Sequence, residues 1–455
     1  MATLLNRSLC VSLIAAAGLT GVCAQNSAEK PVFQWGGDFR VRYEAYNNVQ
    51  TLSSAAPFND RDYFRVRLRV WETTNPVPDL TLYGRLAAEP RYWFNAASKA
   101  GEGEEWKYAL FDNLYAKWST ELADTPLTLV AGRQDITLGD GWLVSDGTPL
   151  DGSWTNFVDG VRLTLGGKDS KTKYEVIAFN QQARPGDRLP ILGAKRSYAL
   201  TEQDETGVVF YASNQLAEDT KLDGYFIYKA DDKVTSAGAN ADIYTLGGKI
   251  SGAPSEHWQY SAEGAYQWGR RDLLVRQPVV IAGSREVSAV GLNAKATYVF
   301  KDEYRNQISL LAEYLSGDDA DTTGTDEMFD VLWGRTPRVG ETWAQAYAME
   351  TGGRSSQYNN LVRIGASWSI APDKNTSITT TYTANFAPKG TPTRATNASR
   401  FDGGLFRGHM LQVIAKRKLT KRLSALLLAE AAVMGDYYDR SDTMTFLRCE
   451  LLTTF

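Results

Sequence analysis

The chain has 455 residues, 43% of them hydrophobic, with 49 basic against 53 acidic side chains and a formal charge of −4. A mean hydropathy of −0.34 and the lack of any long apolar run after the N-terminus exclude a bundle of membrane-spanning helices, and the acidic balance argues against nucleic acid as a partner. With two histidines and three cysteines there is little material for a zinc site or a disulfide framework.

Residues 1–24 carry one basic residue, Arg7, then the apolar run Leu9–Ala17, and end in Val22-Cys23-Ala24. This is the pattern of a cleaved secretory signal with a small residue at the cleavage site. Val22 is too bulky for a lipid-anchoring cleavage before Cys23, and the apolar run is too short to span a bilayer. Removing Arg7 takes the formal charge from −4 to −5, and losing Cys10 and Cys23 leaves only Cys449, so the mature chain has no intrachain disulfide.

From residue 25 onward we expect one domain built from strands that alternate between apolar and polar residues, since a period of two is the strand signal. Strands are predicted at 33–46, 61–73, 79–93, 106–118, 126–134, 158–166, 172–180, 205–215, 221–230, 241–251, 257–269, 286–301, 305–316, 358–370, 375–386, 408–418, 422–435 and 443–455. Phe64, Val66, Leu68 and Val70 alternate with Arg65, Arg67 and Arg69; Trp258, Tyr260, Ala262, Gly264, Tyr266 and Trp268 form another apolar face. Many of these strands run to about ten residues, the length that crosses a bilayer at a tilt. Aromatic residues stand near strand ends, where a membrane barrel carries its girdles. The last strand alternates up to Phe455, and such a terminal strand resembles the one read by the outer-membrane barrel assembly machinery. The fold class is therefore all-β, a transmembrane antiparallel barrel of about 18 strands. Tight turns such as Asp302-Glu303 and Leu419-Thr420-Lys421 belong on the periplasmic side. Long connections at 47–60, 94–105, 135–157, 181–204, 317–357 and 387–407 belong outside, with 343–350 read as part of a loop. The acidic runs 101–105 and 317–321 are read as solvated loops in preference to calcium sites.

On the faces that alternate with these apolar sets, arginine dominates. Arg40, Arg42, Arg65, Arg67, Arg69, Arg85, Arg91, Lys117, Arg162, Lys295, Arg363 and Arg448 point inward by this reading, interleaved with Glu44, Glu89, Glu263, Glu313, Glu430 and Glu450. Arginine keeps its charge and grips carboxylates through a planar fork, so such a wall draws polyanions inward unless its own acids neutralise it. Arg65, Arg67 and Arg69, with no acid between them in the chain, favour the first alternative. No Gly-x-Ser-x-Gly elbow, His-Glu-x-x-His motif or phosphate-binding loop is present, and no enzyme, metal or cofactor is expected. An outer-membrane barrel hydrolase would have to use His257 or His409.

Residues 111–118 (FDNLYAKW), Gly132-Arg133-Gln134, Gly139-Asp140-Gly141-Trp142-Leu143, the run Asp146-Gly-Thr-Pro-Leu-Asp151-Gly-Ser-Trp154-Thr and Phe157-Val-Asp159-Gly-Val-Arg162 together resemble the central signature of the alginate-export outer-membrane porin family. Weaker pieces follow in order: Leu332-Trp333-Gly334-Arg335, Pro337-Arg338 with Glu341, Arg407-Gly408-His409, and Gly435-Asp436-Tyr437-Tyr438. The resemblance implies an eighteen-stranded monomeric barrel with an electropositive lumen, narrowed by an inward-folded loop and by acidic side chains. It implies that Asp146–Gly152 shapes the constriction, that Arg133, Arg162, Asp151 and Asp159 line the lumen or anchor the loop, and that the cargo is an acidic oligo- or polysaccharide. Where family members often carry Arg or another polar residue this chain has Trp154, and an aromatic residue in a pore offers a face for a sugar ring. The glycines of the signature also permit tight turns and positive φ. Three readings follow: a passive channel for alginate-like polyuronate or for anions in general, a barrel hydrolase, and a plugged structural barrel. The expected partners are the saccharide, outer-membrane lipid and the assembly machinery; the direction of transport is left open.

Overall fold

All eighteen predicted strands form, because a segment that alternates apolar and polar residues satisfies water on one face and hydrocarbon on the other only as a strand. The computed structural model describes residues 32–49, 52, 54, 60–96, 99–106, 109–145, 157–167, 170–193, 199–272, 283–319, 321–335, 338–350, 358–390, 401–439 and 442–455. The expected signal at 1–24 lies outside them. In chain order the strands are β1 (Phe33–Asn47), β2 (Arg61–Val77), β3 (Leu80–Ala88), β4 (Arg91–Asn95), β5 (Gly103–Glu105), β6 (Ala109–Leu122), β7 (Thr125–Asp135), β8 (Phe157–Leu165), β9 (Thr172–Gln181), β10 (Gln203–Ala217), β11 (Thr220–Lys233), β12 (Ala241–Gly252), β13 (Trp258–Asp272), β14 (Ser284–Val299), β15 (Gln307–Leu315), β16 (Thr325–Asp326), β17 (Leu361–Asp373), β18 (Thr376–Phe386), β19 (Phe406–Lys418), β20 (Leu423–Met434) and β21 (Met444–Thr454).

Eighteen of these pair antiparallel with their chain neighbours, and β1 pairs with β21 to close the ring. Closure satisfies every edge, which a sheet in hydrocarbon requires. The seam runs from Asn47↔Thr445 to Asp38↔Thr454, and Gly37 and Phe455 exchange backbone hydrogen bonds of 3.0 and 3.1 Å beyond it. The other three strands extend the wall at one end. The segment predicted as one strand over 79–93 is two, since Pro90 has no N–H to give to the ladder. The chain resumes as β4 beside β2, with Arg91 opposite Arg65, and carries β5; β16 lies parallel to β14.

Connections alternate in length around the ring. Two residues join β2 to β3, β6 to β7, β10 to β11 and β17 to β18 at one end, where both termini of the barrel also lie. Every longer connection predicted from the sequence leaves and rejoins the wall at the opposite end. Outward side chains are apolar and exposed, among them Leu68, Val161, Leu246, Leu292, Leu310, Ile364, Leu411 and Leu451. On β13 the exposed Trp258 and Trp268 bracket this band. Ten residues at about 3.3 Å each, tilted near 40°, give roughly 25 Å along the axis, the height of a barrel's lipid-facing band. Among the described residues no helix is long and apolar enough to cross a membrane.

One expectation about the loops is corrected. Residues 341–350 form a helix, α1 (Glu341–Glu350), with Thr342, Trp343, Ala346 and Tyr347 each at most 1% exposed. The run ETWAQAYAME has no turn residues and good helix formers, and it folds inside the barrel, where nothing offers it a strand edge.

Candidate functional site

Cross-strand register turns the inward arginines into a ladder. On β1 and β2, Asp38 lies opposite Arg69, Arg40 opposite Arg67 and Arg42 opposite Arg65. On β1 and β21, Arg42 lies opposite Glu450 and Glu44 opposite Arg448. Opposite charges are the natural cross-strand pairs; where the register instead sets arginine against arginine, as at Arg40/Arg67 and Arg42/Arg65, each guanidinium turns to a neighbouring carboxylate. Arg40 donates to Glu89 at 3.0 Å, Arg42 to Glu450 at 2.7 Å, Arg67 to Asp38 at 3.0 Å and Arg69 to the same carboxylate at 2.8 Å. Arg65 binds Glu89, and Arg448 binds Glu44 at 2.6 Å. The triple Arg65/Arg67/Arg69 has no acid between its members in the chain, yet the fold brings Asp38, Glu44 and Glu89 against it.

The same holds round the wall. Arg85 grips Asp112 at 2.8 and 3.0 Å and reaches Asp135 at 2.9 Å. Arg133 holds Asp159 at 2.7 and 2.9 Å and covers the Phe157 ring. Arg162 meets Glu175 at 2.8 Å and Arg363 meets Glu313 at 2.8 Å. Lys117 and Lys295 are exposed on the inner face towards the short-turn end, with no carboxylate within ion-pair distance among the described residues. Asp159, expected with the constriction loop as a lumen-lining or loop-anchoring residue, sits in β8 as the strand partner of Arg133. Asp146, Asp151 and Trp154 lie outside the described residues.

Among the described residues, the structure that narrows the lumen includes the long connection between β15 and β17. Its segment 326–335 lies against β10, β11 and β13. Arg271 of β13 binds Asp326 at 3.0 Å and Asp330 at 2.9 Å, and Gln267 exchanges two 2.8 Å hydrogen bonds with the Asp330 backbone. Arg335 binds Glu205, and Lys229 lies between Glu205, Asp231 and Asp330. Burial alone pulls the Arg335 guanidinium down, but the facing Glu205 carboxylate more than offsets it and holds the group above its ordinary value. The signature loop joins this body: Trp333 N–H donates to Leu143 O at 2.9 Å, Trp142 stacks on Phe329 at 5.5 Å, and the Trp142 indole donates to Glu313 at 3.0 Å.

Helix α1 is held at both ends. The Glu430 carboxylate of β20 accepts the N–H groups of Glu341 and Thr342 at 2.9 and 2.8 Å and the Thr342 hydroxyl at 3.0 Å. A wall carboxylate thus supplies the cap and the negative charge that a helix N-terminus favours. Arg448 binds Glu341 at 2.8 Å. At the C-terminal end Arg407 of β19 grips Glu350 at 2.8 and 3.0 Å and lies over the rings of Tyr437 and Tyr347 at 4.1 and 4.8 Å.

The chain matches the alginate export family model over residues 33–446. It belongs to that family. This alginate-export barrel also shares its fold with solved porins of low identity. The outer membrane protein OprD of Pseudomonas aeruginosa matches at 9% identity and a TM-score of 0.54, covering 93% of each chain. A BenF-like porin from Pseudomonas fluorescens Pf-5 matches at 9% identity and a TM-score of 0.55, covering 93% of this chain and 99% of its own. OccK2 of Pseudomonas aeruginosa, solved in complex with glucuronate, matches at 9% identity and a TM-score of 0.52, covering 93% and 98%. Among curated proteins no sequence match is found. The protein is an outer-membrane β-barrel with its short turns periplasmic and its long loops outside, and its family and fold are those of transport porins. His257 and His409 lie apart, the first bonded to Val299 O at 2.7 Å near a periplasmic turn, the second to the Tyr382 hydroxyl at 2.6 Å on the outer face.

Sequence reasoning missed Lys229, Arg271 and Arg407 as anchors of the inward segment. A signal for part of this was present: the motif pieces around Trp333, Arg335, Glu341, Arg407 and Tyr437-Tyr438 are the points at which that segment is fastened.

Proposed function

We propose that this barrel passes anionic saccharides of polyuronate type by diffusion, along the wall formed by β1, β2, β4 and β21. One observation carries this reading. Seven lumen-facing arginines (Arg40, Arg42, Arg65, Arg67, Arg69, Arg91 and Arg448) on that wall are faced by six carboxylates, Asp38, Glu44, Glu89, Glu105, Glu341 and Glu450. The acids orient the guanidinium groups without cancelling them, so the wall keeps a positive excess in a confined, low-dielectric space. The family points to alginate, and the structural relative OccK2 was solved with a sugar acid, glucuronate. Both support an acidic carbohydrate as cargo. A general anion pore is the second reading, and the bidentate pairing of so many arginines favours it.

Reversal potentials in a planar bilayer under a salt gradient, followed by addition of an oligouronate, test both. An anion-selective conductance interrupted by oligouronate supports the saccharide channel; anion selectivity without interruption supports the general pore. Replacing Arg65, Arg67 and Arg69 by Ala removes both arginines bound to Asp38 and one of those on Glu89, and is expected to shift selectivity towards cations. If the reversal potential does not move, the arginine wall is a structural ladder.

A further inference from the structure

Between α1 and the wall at the outer end lies a cavity of about 270 Å³, lined by Tyr63, Arg91 and Trp93 of β2 and β4 and by Glu341 and Gln345 of the helix, among others. Two features set it apart from the ladder below. Arg91 makes no hydrogen bond among the described residues; its nearest carboxylates, Glu89 and Glu105, stand at 3.9 and 4.0 Å. A guanidinium has five N–H donors, and those of Arg91 are open to a ligand, whereas its wall neighbours Arg40, Arg42, Arg65, Arg67, Arg69 and Arg448 are bound to carboxylates. The amide of Gln345, half-buried on the facing helix, likewise makes no hydrogen bond among the described residues. Arg91 lies over the rings of Tyr63 and Trp93 at 5.6 and 5.9 Å. Those rings are tilted together at a centroid distance of 4.2 Å, and a 2.9 Å hydrogen bond from the indole to Glu105 fixes the orientation of Trp93.

We infer that this cavity is a binding subsite for one carboxylated pyranose unit. The sugar ring packs on the half-buried indole of Trp93, which the buried Tyr63 backs, the carboxylate pairs with Arg91, and a hydroxyl meets the Gln345 amide. A charge-only filter needs no aromatic floor, and an aromatic floor without a free cation would not prefer a sugar acid over a neutral sugar. This rests on the saccharide reading above but is tested independently of conduction.

The test uses the refolded full-length barrel in detergent, with monomeric glucuronate and glucose as probes, followed by saturation-transfer NMR and titration. Glucuronate is expected to bind more tightly than glucose. Arg91→Gln abolishes that preference. Trp93→Ala weakens both sugars by roughly threefold to tenfold, the loss of one aromatic contact worth about 0.5–1.5 kcal/mol. Binding of glucuronate that is absent in the wild type, or equal in the wild type and both variants, overturns the subsite. Wild-type ion selectivity, measured separately, decides the channel reading whichever way the titration falls.

Discussion

At the scale of single residues, the buried ion pairs matter most for what happens when one partner is removed. Arg407 is fully buried between Glu350, Tyr437 and Tyr347. Arg407→Ala strands a carboxylate away from water, a loss of about 3–5 kcal/mol for a broken buried pair. It is expected to lower the guanidinium midpoint of the refolded protein, and Glu350→Gln, whose amide oxygen can still accept from Arg407 and Tyr437 while its NH2 cannot, should lower it less. Gly132 has φ of 126° and sits where a Cβ would meet Leu114 O at 2.3 Å. Gly132→Ala is therefore strained by roughly 1–3 kcal/mol and should reduce the yield of folded barrel on unheated gels; wild-type yield would show that β6 and β7 can part. Gly139 and Gly141 also have positive φ, as their place in the signature suggested. Gly160 does not, and is needed for close approach instead, with Ala178 O 2.3 Å from a Cβ placed there.

At the scale of elements, α1 is the piece whose removal should be most visible. A ten-residue helix is too short to be stable alone in water, so its order comes from Glu430 at one end, Arg407 at the other and burial between them. Glu430→Ala removes the cap and is expected to cost about 1–2 kcal/mol, read as a lower unfolding midpoint and as more frequent conductance steps in single-channel records. Replacing 328–350 by a Gly-Ser linker should leave the eighteen wall strands paired and raise single-channel conductance. An unchanged conductance would mean that ions pass only along the wall and never through the volume the helix fills. Most wall strands were legible residue by residue because each carries its own period-two pattern; 126–134 and 172–180, with apolar residues on both faces, were legible only as strands. The helix was not, because its apolar residues face both the wall and the rest of the inward segment, so no polar face marks a period of 3.6.

At the scale of the whole molecule, the wall's arginine excess acts over distances comparable to the screening length. Anion preference should therefore fall as salt rises from about 0.1 M to 1 M, where that length shrinks from about 10 Å to 3 Å. A preference that does not change with salt would point to contact binding in place of a diffuse field. The sequence by itself determined the membrane-barrel class, the eighteen strands, the side of most of them that meets lipid (not of 126–134 and 172–180, where apolar residues fall on both faces), and the family. All of these follow from local alternation and from motifs contiguous in the chain. Only the tertiary structure decided which carboxylate meets which arginine. Asp38 and Arg69 are 31 residues apart and Arg448 and Glu44 are 404 apart; their pairing depends on register and on closure of the seam, which no local window contains. It also decided that part of the β15–β17 connection folds into the lumen, because a segment enters a barrel only where distant wall residues such as Arg271, Glu430 and Arg407 offer buried partners for its charges and its helix ends.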